Sequence, residues 1–329
     1  MNKLYRSLIL MLLCLSVSLP LLAAGFDQAD EARIFNTPLG ADTLGMGNAG
    51  TATWTGFSTD NPAALGAWQE KKRSVNFTGS SVNFSGAPSV KTGEIGVTIP
   101  ISEQSILDIS LGNTQSNRGT TLGGDNFEIT KDPYLVIQVG SEVKKNLFTE
   151  GDALSLGVML APRVGRTIYR FYDAGAEVLR TDSKIYGFGA GALYKLSEDL
   201  GFGVSYNEWR ISTVALNLAS DTEESIRSSL KSFKLGVGKK ITDKLFLTVE
   251  AQRFSGTAKT WQLAGGAEYC SSEQLCWYGG WNGAGPTVGV GIYGDVGTIN
   301  VGYTSRMARY TKEQFGESPT FSVTFTKNF

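Results

Sequence analysis

From about Ser74 onward, apolar and polar side chains alternate one by one through a series of short segments. In "GEIGVTIPI", Ile95, Val97, Ile99 and Ile101 share one face, while Glu94, Gly96 and Thr98 share the other. "LDISLG" sets Leu107, Ile109 and Leu111 against Asp108, Ser110 and Gly112. "LVIQVGSEV" sets Leu135, Ile137, Val139 and Val143 against Gln138, Gly140 and Glu142, and "LSLGVML", "LFLTVEAQ" and "TINVGYT" repeat the scheme. A period of two sustained over so many segments predicts strands rather than helices. About 12 such strands of roughly 10 residues can be counted, the length a tilted strand needs to cross a bilayer.

The connections sort by parity. One set is terse: "SEQ" at Glu103, "SEDL" at Asp199, "TDK" at Asp243 and "GDVG" at Asp295. The other set reads as long loops over 115–125, 164–183, 213–230 and 256–285. Short turns at one end and long loops at the other are the asymmetry of an outer-membrane barrel, and a β-sandwich has no reason to sort its loops in this way. The expected fold is therefore an all-β, transmembrane antiparallel β-barrel. The last segment, "SPTFSVTFTKNF", alternates Phe321, Val323, Phe325 and Phe329 with Ser322, Thr324, Thr326 and Asn328. It resembles the terminal signal read by the outer-membrane barrel assembly machinery. Lys327 interrupts its outward face at a position where a long cation can snorkel.

Three places break the pattern. Val75 and Phe77 share a parity that Val82 and Phe84 do not, which predicts a bulge near Gly79. Pro100 and Pro162 each delete a ladder donor. They read either as features of short strand ends or as a kink that opens the wall.

The N-terminus differs in kind. "MNKLYR" is positive, Ser7 to Leu22 is apolar, and "LLAA" offers small residues for cleavage after Ala24. These are the parts of a secretory signal peptide over residues 1–24, which directs the chain out of the cytoplasm. Cys14 follows Leu13 rather than a small residue, which argues against lipoprotein processing. Between the leader and the first strand, "GMGNAG" (Gly45 to Gly50) spells the dinucleotide-binding fingerprint. No buried strand precedes it, and the acidic residue downstream, Glu70, ends no apolar strand, so a nucleotide site is excluded on context. Asn61 before Pro62 marks a short helix start, with Asn as cap and Pro at the first helical position.

This stretch, "LGADTLGMGNAGTATWTGFSTDNPAAL", resembles the N-terminal signature of the FadL-type outer-membrane transport proteins for long-chain fatty acids and other hydrophobic compounds. The matching residues are Gly45, Gly47, Ala49, Gly50, Asn61, Pro62 and Ala63. The resemblance implies that residues 25–71 form a plug within a barrel made by residues 72–329. It also implies about 14 strands, so either one hairpin hides in a segment read as a loop or the barrel is a shortened relative. PorV-type barrels associated with protein secretion share the signature. They give the alternative of a structural or secretion-accessory barrel without small-molecule flux.

Composition narrows the chemistry. The chain has no histidine, which removes the usual general base and the commonest metal ligand, and no catalytic residue, cofactor or metal site is expected. The 30 basic and 31 acidic residues balance, so nothing points to nucleic acid. Glu94, Asp108, Gln138, Glu142, Glu250, Gln252 and Asn300 fall on the inward parity and predict a polar lumen. Trp261, Tyr269, Trp277, Tyr278 and Trp281 form either an outer ligand-capture loop or part of the interfacial aromatic girdle. Cys270 and Cys276 are expected to form a disulfide in the same loop. The expected partners are outer-membrane lipid, a hydrophobic small-molecule ligand and, during biogenesis, the barrel assembly machinery. The expected oligomeric state is a monomer.

Overall fold

Alternating faces commit each strand to having one neighbour on either side and one face in lipid, and the arrangement that leaves no edge is a closed barrel. The computed structural model describes residues 40–47, 49–54, 61–68, 72–83, 89–116, 119–120, 126–162, 166–173, 176–218, 221–255, 259–283, 285–305 and 319–329. The signal peptide expected over residues 1–24, Phe84 and the first part of the N-terminal segment lie outside them.

The strands are β1 (Ser74–Val82), β2 (Val90–Pro100), β3 (Ser105–Ser116), β4 (Gly119–Thr120), β5 (Asn126–Lys145), β6 (Ala153–Ala161), β7 (Arg166–Asp173) and β8 (Ala176–Ser197). They continue with β9 (Leu200–Asn217), β10 (Thr222–Thr242), β11 (Leu245–Ser255), β12 (Lys259–Ser272), β13 (Leu275–Trp281), β14 (Pro286–Gly294), β15 (Gly297–Thr304) and β16 (Thr320–Asn328). All pairings are antiparallel. β1 pairs both β2 and β16, which closes the ring. β6 and β7 lie end to end between β5 and β8, and β4 is a two-residue stub on β5, so the 16-stranded sheet makes a barrel of 14 strands.

The burial is inside-out, as lipid requires. Phe77, Ile95, Val97, Leu156, Val158, Leu235, Val249, Val288 and Phe321 are exposed on the outer face, while Thr98, Asp108, Ser205, Thr248, Glu250, Gln252 and Ser322 are buried within. Among the described residues no helix is long and apolar enough to cross a membrane.

The missing hairpin is β12–β13. Within the segment read as a loop, Lys259–Ser272 and Leu275–Trp281 are two paired strands joined at Glu273–Gln274, and Cys270 faces Cys276 across them. The hairpin's alternation is hard to see because the inward face mixes Ala264, Gly266 and Gly280 with cysteines and Tyr278, and the outward face includes Gly265 and Gly279. The stretches 164–183 and 213–230 are likewise mostly strand. β8, β9 and β10 run 22, 18 and 21 residues, whereas β13 to β16 run 7 to 9, so one side of the barrel stands far taller than the other.

No bulge occurs at Gly79. β1 keeps an unbroken register with both neighbours, and Val82 turns into the lumen, 6% exposed. Pro100 ends β2 opposite Ile106, and Pro162 lies where β6 gives way to β7. Lys327 is exposed near the chain end with its Nζ 5.4 Å from the Phe329 ring.

Candidate functional site: the lumen and the segment inside it

Residues 40–68 carry two one-turn helices, α1 (Ala41–Gly45) and α2 (Ala63–Ala67). Neither helix is long enough to persist alone. Both are held by the barrel: α1 against β13 to β16, α2 against β3, β5, β6 and β8 on the other side. The sequence suits this position because its side chains are small. Ala41, Leu44, Ala49, Ala52, Ala63 and Ala64 are wholly buried.

Backbone groups that helices would satisfy in a longer element are met here by the wall. Ala41 N–H donates to Thr324 Oγ1 at 3.1 Å, and Thr287 Oγ1 donates to the Gly45 carbonyl at 2.7 Å. Thr248 Oγ1 donates to the Ala49 carbonyl at 3.0 Å, and Thr51 N–H donates to Glu250 Oε2 at 2.9 Å. Glu250 also lies 3.7 Å from Lys234 Nζ on the adjacent strand, with both side chains almost fully buried. A buried pair of this kind depends on both charges staying in place.

Asn61 is the centre of the network and is fully buried. Its Oδ1 accepts from Ala63 N–H at 3.1 Å, while Nδ2 donates to the Thr51 carbonyl at 2.7 Å and to the Ala192 carbonyl of β8 at 3.2 Å. α2 begins one residue later than expected, after Pro62, yet Asn61 still satisfies the first turn. One side chain thus ties the helix start, the preceding turn and the barrel wall together.

Glycine shapes the contact from both sides. Gly47 has φ +73°, and a Cβ there would meet the Trp281 carbonyl carbon at 2.8 Å and the Gly265 carbonyl oxygen at 2.6 Å. On the wall, a Cβ at Gly266 would meet Met46 backbone carbon at 2.7 Å, and one at Gly140 would meet Gly66 N at 2.6 Å. Toward the short-turn end of the barrel, Trp54 packs edge-on to Phe246 at 5.3 Å, with Lys195 Nζ 5.5 Å from its ring. Ala52, Trp54, Ala63, Ala67, Leu193 and Phe246 form one apolar cluster across this junction.

The inward set read from the sequence lies in the lumen. Asp108 accepts from Thr98 Oγ1 at 2.8 Å and Ser110 Oγ at 3.2 Å, Glu94 accepts from Tyr134 Oη at 3.2 Å, and Gln138 is 3% exposed. Asn300 accepts from Tyr278 Oη at 3.1 Å, and Glu142 pairs with Lys145 at 3.3 Å.

The five aromatics are not gathered together. Tyr269 and Trp277 pair near the short-turn end with their rings exposed, Trp261 and Trp281 stand at the opposite end, and Tyr278 is buried in the lumen. The disulfide Cys270–Cys276 also lies at the short-turn end, packed near Met46 and Tyr278. Sequence reasoning put Thr324, Gly96, Gly112 and Gly140 on the inward parity but missed Thr248, Thr287 and Lys234 and the contacts that these threonines and Gly140 make with the segment. The available signal was glycine recurring on the polar parity of strand after strand.

The fold is shared with solved transporters. The CymD monoaromatic hydrocarbon channel aligns with a TM-score of 0.57 at 14% identity, covering 88% of this chain and 97% of that one. The P. putida toluene transporter TodX gives 0.53 at 13% over 88% and 98%. A Pseudomonas aeruginosa FadL homologue gives 0.54 at 13% over 88% and 98%. No protein-family profile and no curated protein sequence matches the chain.

Proposed function

We propose that this barrel admits hydrophobic small molecules, long-chain fatty acids or aromatic hydrocarbons, passively across the outer membrane, and that the segment around Asn61 is the plug that gates it. The observation that carries the proposal is how the segment is held. Its contacts are mostly single hydrogen bonds to its backbone and small-residue packing, a mode of docking that can be released stepwise. Releasing it uncovers Leu193 and Phe246, apolar side chains that pack against the segment from the wall. The likeness to barrels named as hydrocarbon channels and a toluene transporter supports the same reading. No nucleotide is needed, since consumption of the compound inside the cell maintains the gradient.

Uptake of a radiolabelled long-chain fatty acid, and then of an aromatic hydrocarbon, tests it. The cells would be Gram-negative, lack their own transporter and express this chain or an Asn61→Ala variant at equal folded levels. Saturable uptake by the unaltered chain, replaced in the variant by a non-saturable leak because its segment no longer docks, is the expected result. A folded, surface-exposed barrel that takes up neither compound overturns the proposal and leaves the secretion-accessory alternative, to be sought through protein partners.

A further inference from the structure

The outer face of β8 to β12 carries a feature that transport does not require. Arg210 on β9, Lys231 on β10 and Arg253 on β11 are all exposed on the lipid side. The registers place them together: Lys231 lies opposite Glu208, two residues from Arg210, and Arg253 lies opposite Phe233, two residues from Lys231. Aromatic rings flank them. The Arg210 guanidinium sits 5.9 Å from the Phe188 ring and that of Arg253 5.7 Å from the Trp261 ring.

The height of this group is informative. The run from Leu200, at the short-turn end of β9, to Arg210 is about 33 Å of strand at ~3.3 Å per residue. At a tilt of ~40° that is about 25 Å of height, the thickness of the apolar band of an outer-membrane barrel. Below the cations the same face is apolar, with Leu235 and Val249 exposed. The cations therefore stand where headgroups of the outer leaflet begin. Neighbouring strands are ~4.8 Å apart, so the three strands offer positive charge over about 10 Å.

Glu208, which lies opposite Lys231 and pairs with Arg210, offsets one of the three charges and leaves two in surplus. Its side chain is 9% exposed beneath an Arg210 that is 68% exposed. It accepts from Arg210 Nε at 2.8 Å and Tyr206 Oη at 2.9 Å. The bond uses Nε, so the two terminal nitrogens of the guanidinium take no part in it. Glu208 thus fixes the arginine against the wall.

We infer that Arg210, Lys231 and Arg253 form a binding site for the phosphorylated headgroup of an outer-leaflet glycolipid, whose acyl chains lie along the apolar face below. Guanidinium and ammonium groups on rigid strands suit phosphate oxygens, and the flanking rings suit the boundary between headgroup and chain. Nothing in this inference depends on what the barrel transports.

Native mass spectrometry of the detergent-solubilised full chain, titrated with bisphosphorylated lipid A, tests it. Heat-modifiable gel mobility would confirm that each variant is folded. Lys231→Ser combined with Arg253→Ser is expected to weaken binding at least about tenfold, and Arg210→Gln to weaken it measurably. Lys91→Ser, which removes an exposed cation on β2, is expected to leave it within about twofold. Dephosphorylated lipid A is expected to bind as poorly to the unaltered chain as the phosphorylated form does to the double variant. Equal binding by the double variant, equal loss with Lys91→Ser, or displacement by an equal concentration of phosphatidylglycerol or inorganic phosphate would each overturn the assignment.

Discussion

Asn61 satisfies three partners with one amide, so its replacement cannot be absorbed locally. Asn61→Ala strands the Thr51 and Ala192 carbonyls and the Ala63 amide in a fully buried site. Each buried polar group left unmet costs about 1–3 kcal/mol. The segment is expected to undock before the barrel melts, seen as new protease cleavage within 40–68 while the gel mobility of the folded barrel persists. Gly47→Ala should act in the same direction for a different reason. Left-handed backbone disfavours a side chain by about 1–2 kcal/mol, and the Cβ would also press on the backbone of β13 and β12. Its effect should show in the same protease assay, and Gly79→Ala, where a Cβ meets nothing within 4 Å, should be silent.

A second residue-scale effect concerns acid. Asp152 ends the β5–β6 turn and is buried, which by itself would raise its pKa. The bonds it accepts from Tyr194 Oη and from the backbone N–H groups of Phe148, Thr149 and Leu147 outweigh burial and hold it at about 2, below the ordinary 3.8. A depressed carboxylate contributes stability that is complete above its unfolded pKa and disappears as pH falls through its folded one. The turn should therefore keep its structure down to about pH 4 and loosen toward pH 2. Amide exchange at Phe148 and Thr149 would show this, and Asp152→Asn should abolish the pH dependence.

At the scale of elements, alternation was legible wherever one face is continuously apolar, as in β2, β3, β11 and β16. It failed in β12–β13, where Ala264, Gly266 and Gly280 face the segment and Gly265 and Gly279 interrupt the lipid face. It also failed in the upper parts of β8 to β10. These rise past the apolar band, so nothing demands an apolar face there, and polar runs such as "TEESIRSS" read as loop. The lumen residues were readable because parity alone decides which way a strand side chain points. The arrangement of the segment was not, because it rests on threonine hydroxyls from distant strands, and no local pattern pairs Thr248 with Ala49 or Thr287 with Gly45. The disulfide belongs to this scale too. It closes a short hairpin loop, and a loop of that size stabilises by only about 2 kcal/mol in the chain-entropy account. Cys270→Ser with Cys276→Ser should lower the melting point slightly and leave the barrel assembled.

For the whole molecule, the inner wall and its occupant have opposite needs. The wall carries Glu94, Asp108, Glu142 and Glu250 against Lys195 and Lys234, a surplus of acid that favours cations once water enters. Deleting residues 40–68 while keeping residues 1–39 should convert a nearly silent barrel into a cation-preferring channel in planar bilayers. If the deletion variant folds and conducts no better than the intact chain, the segment is not what closes the lumen.

The inward glycines have a consequence for how such a chain can change. A wall that gives up side chains wherever another backbone passes is a cast of that backbone, and a cast records one shape. The barrel and the strand of chain inside it must diverge together, since a methyl gained on either surface needs a retreat on the other. Grafting in the N-terminal segment of a different barrel, even one that keeps Asn-Pro-Ala, should therefore leave it outside the lumen unless the glycines at 140 and 266 are moved to follow its path.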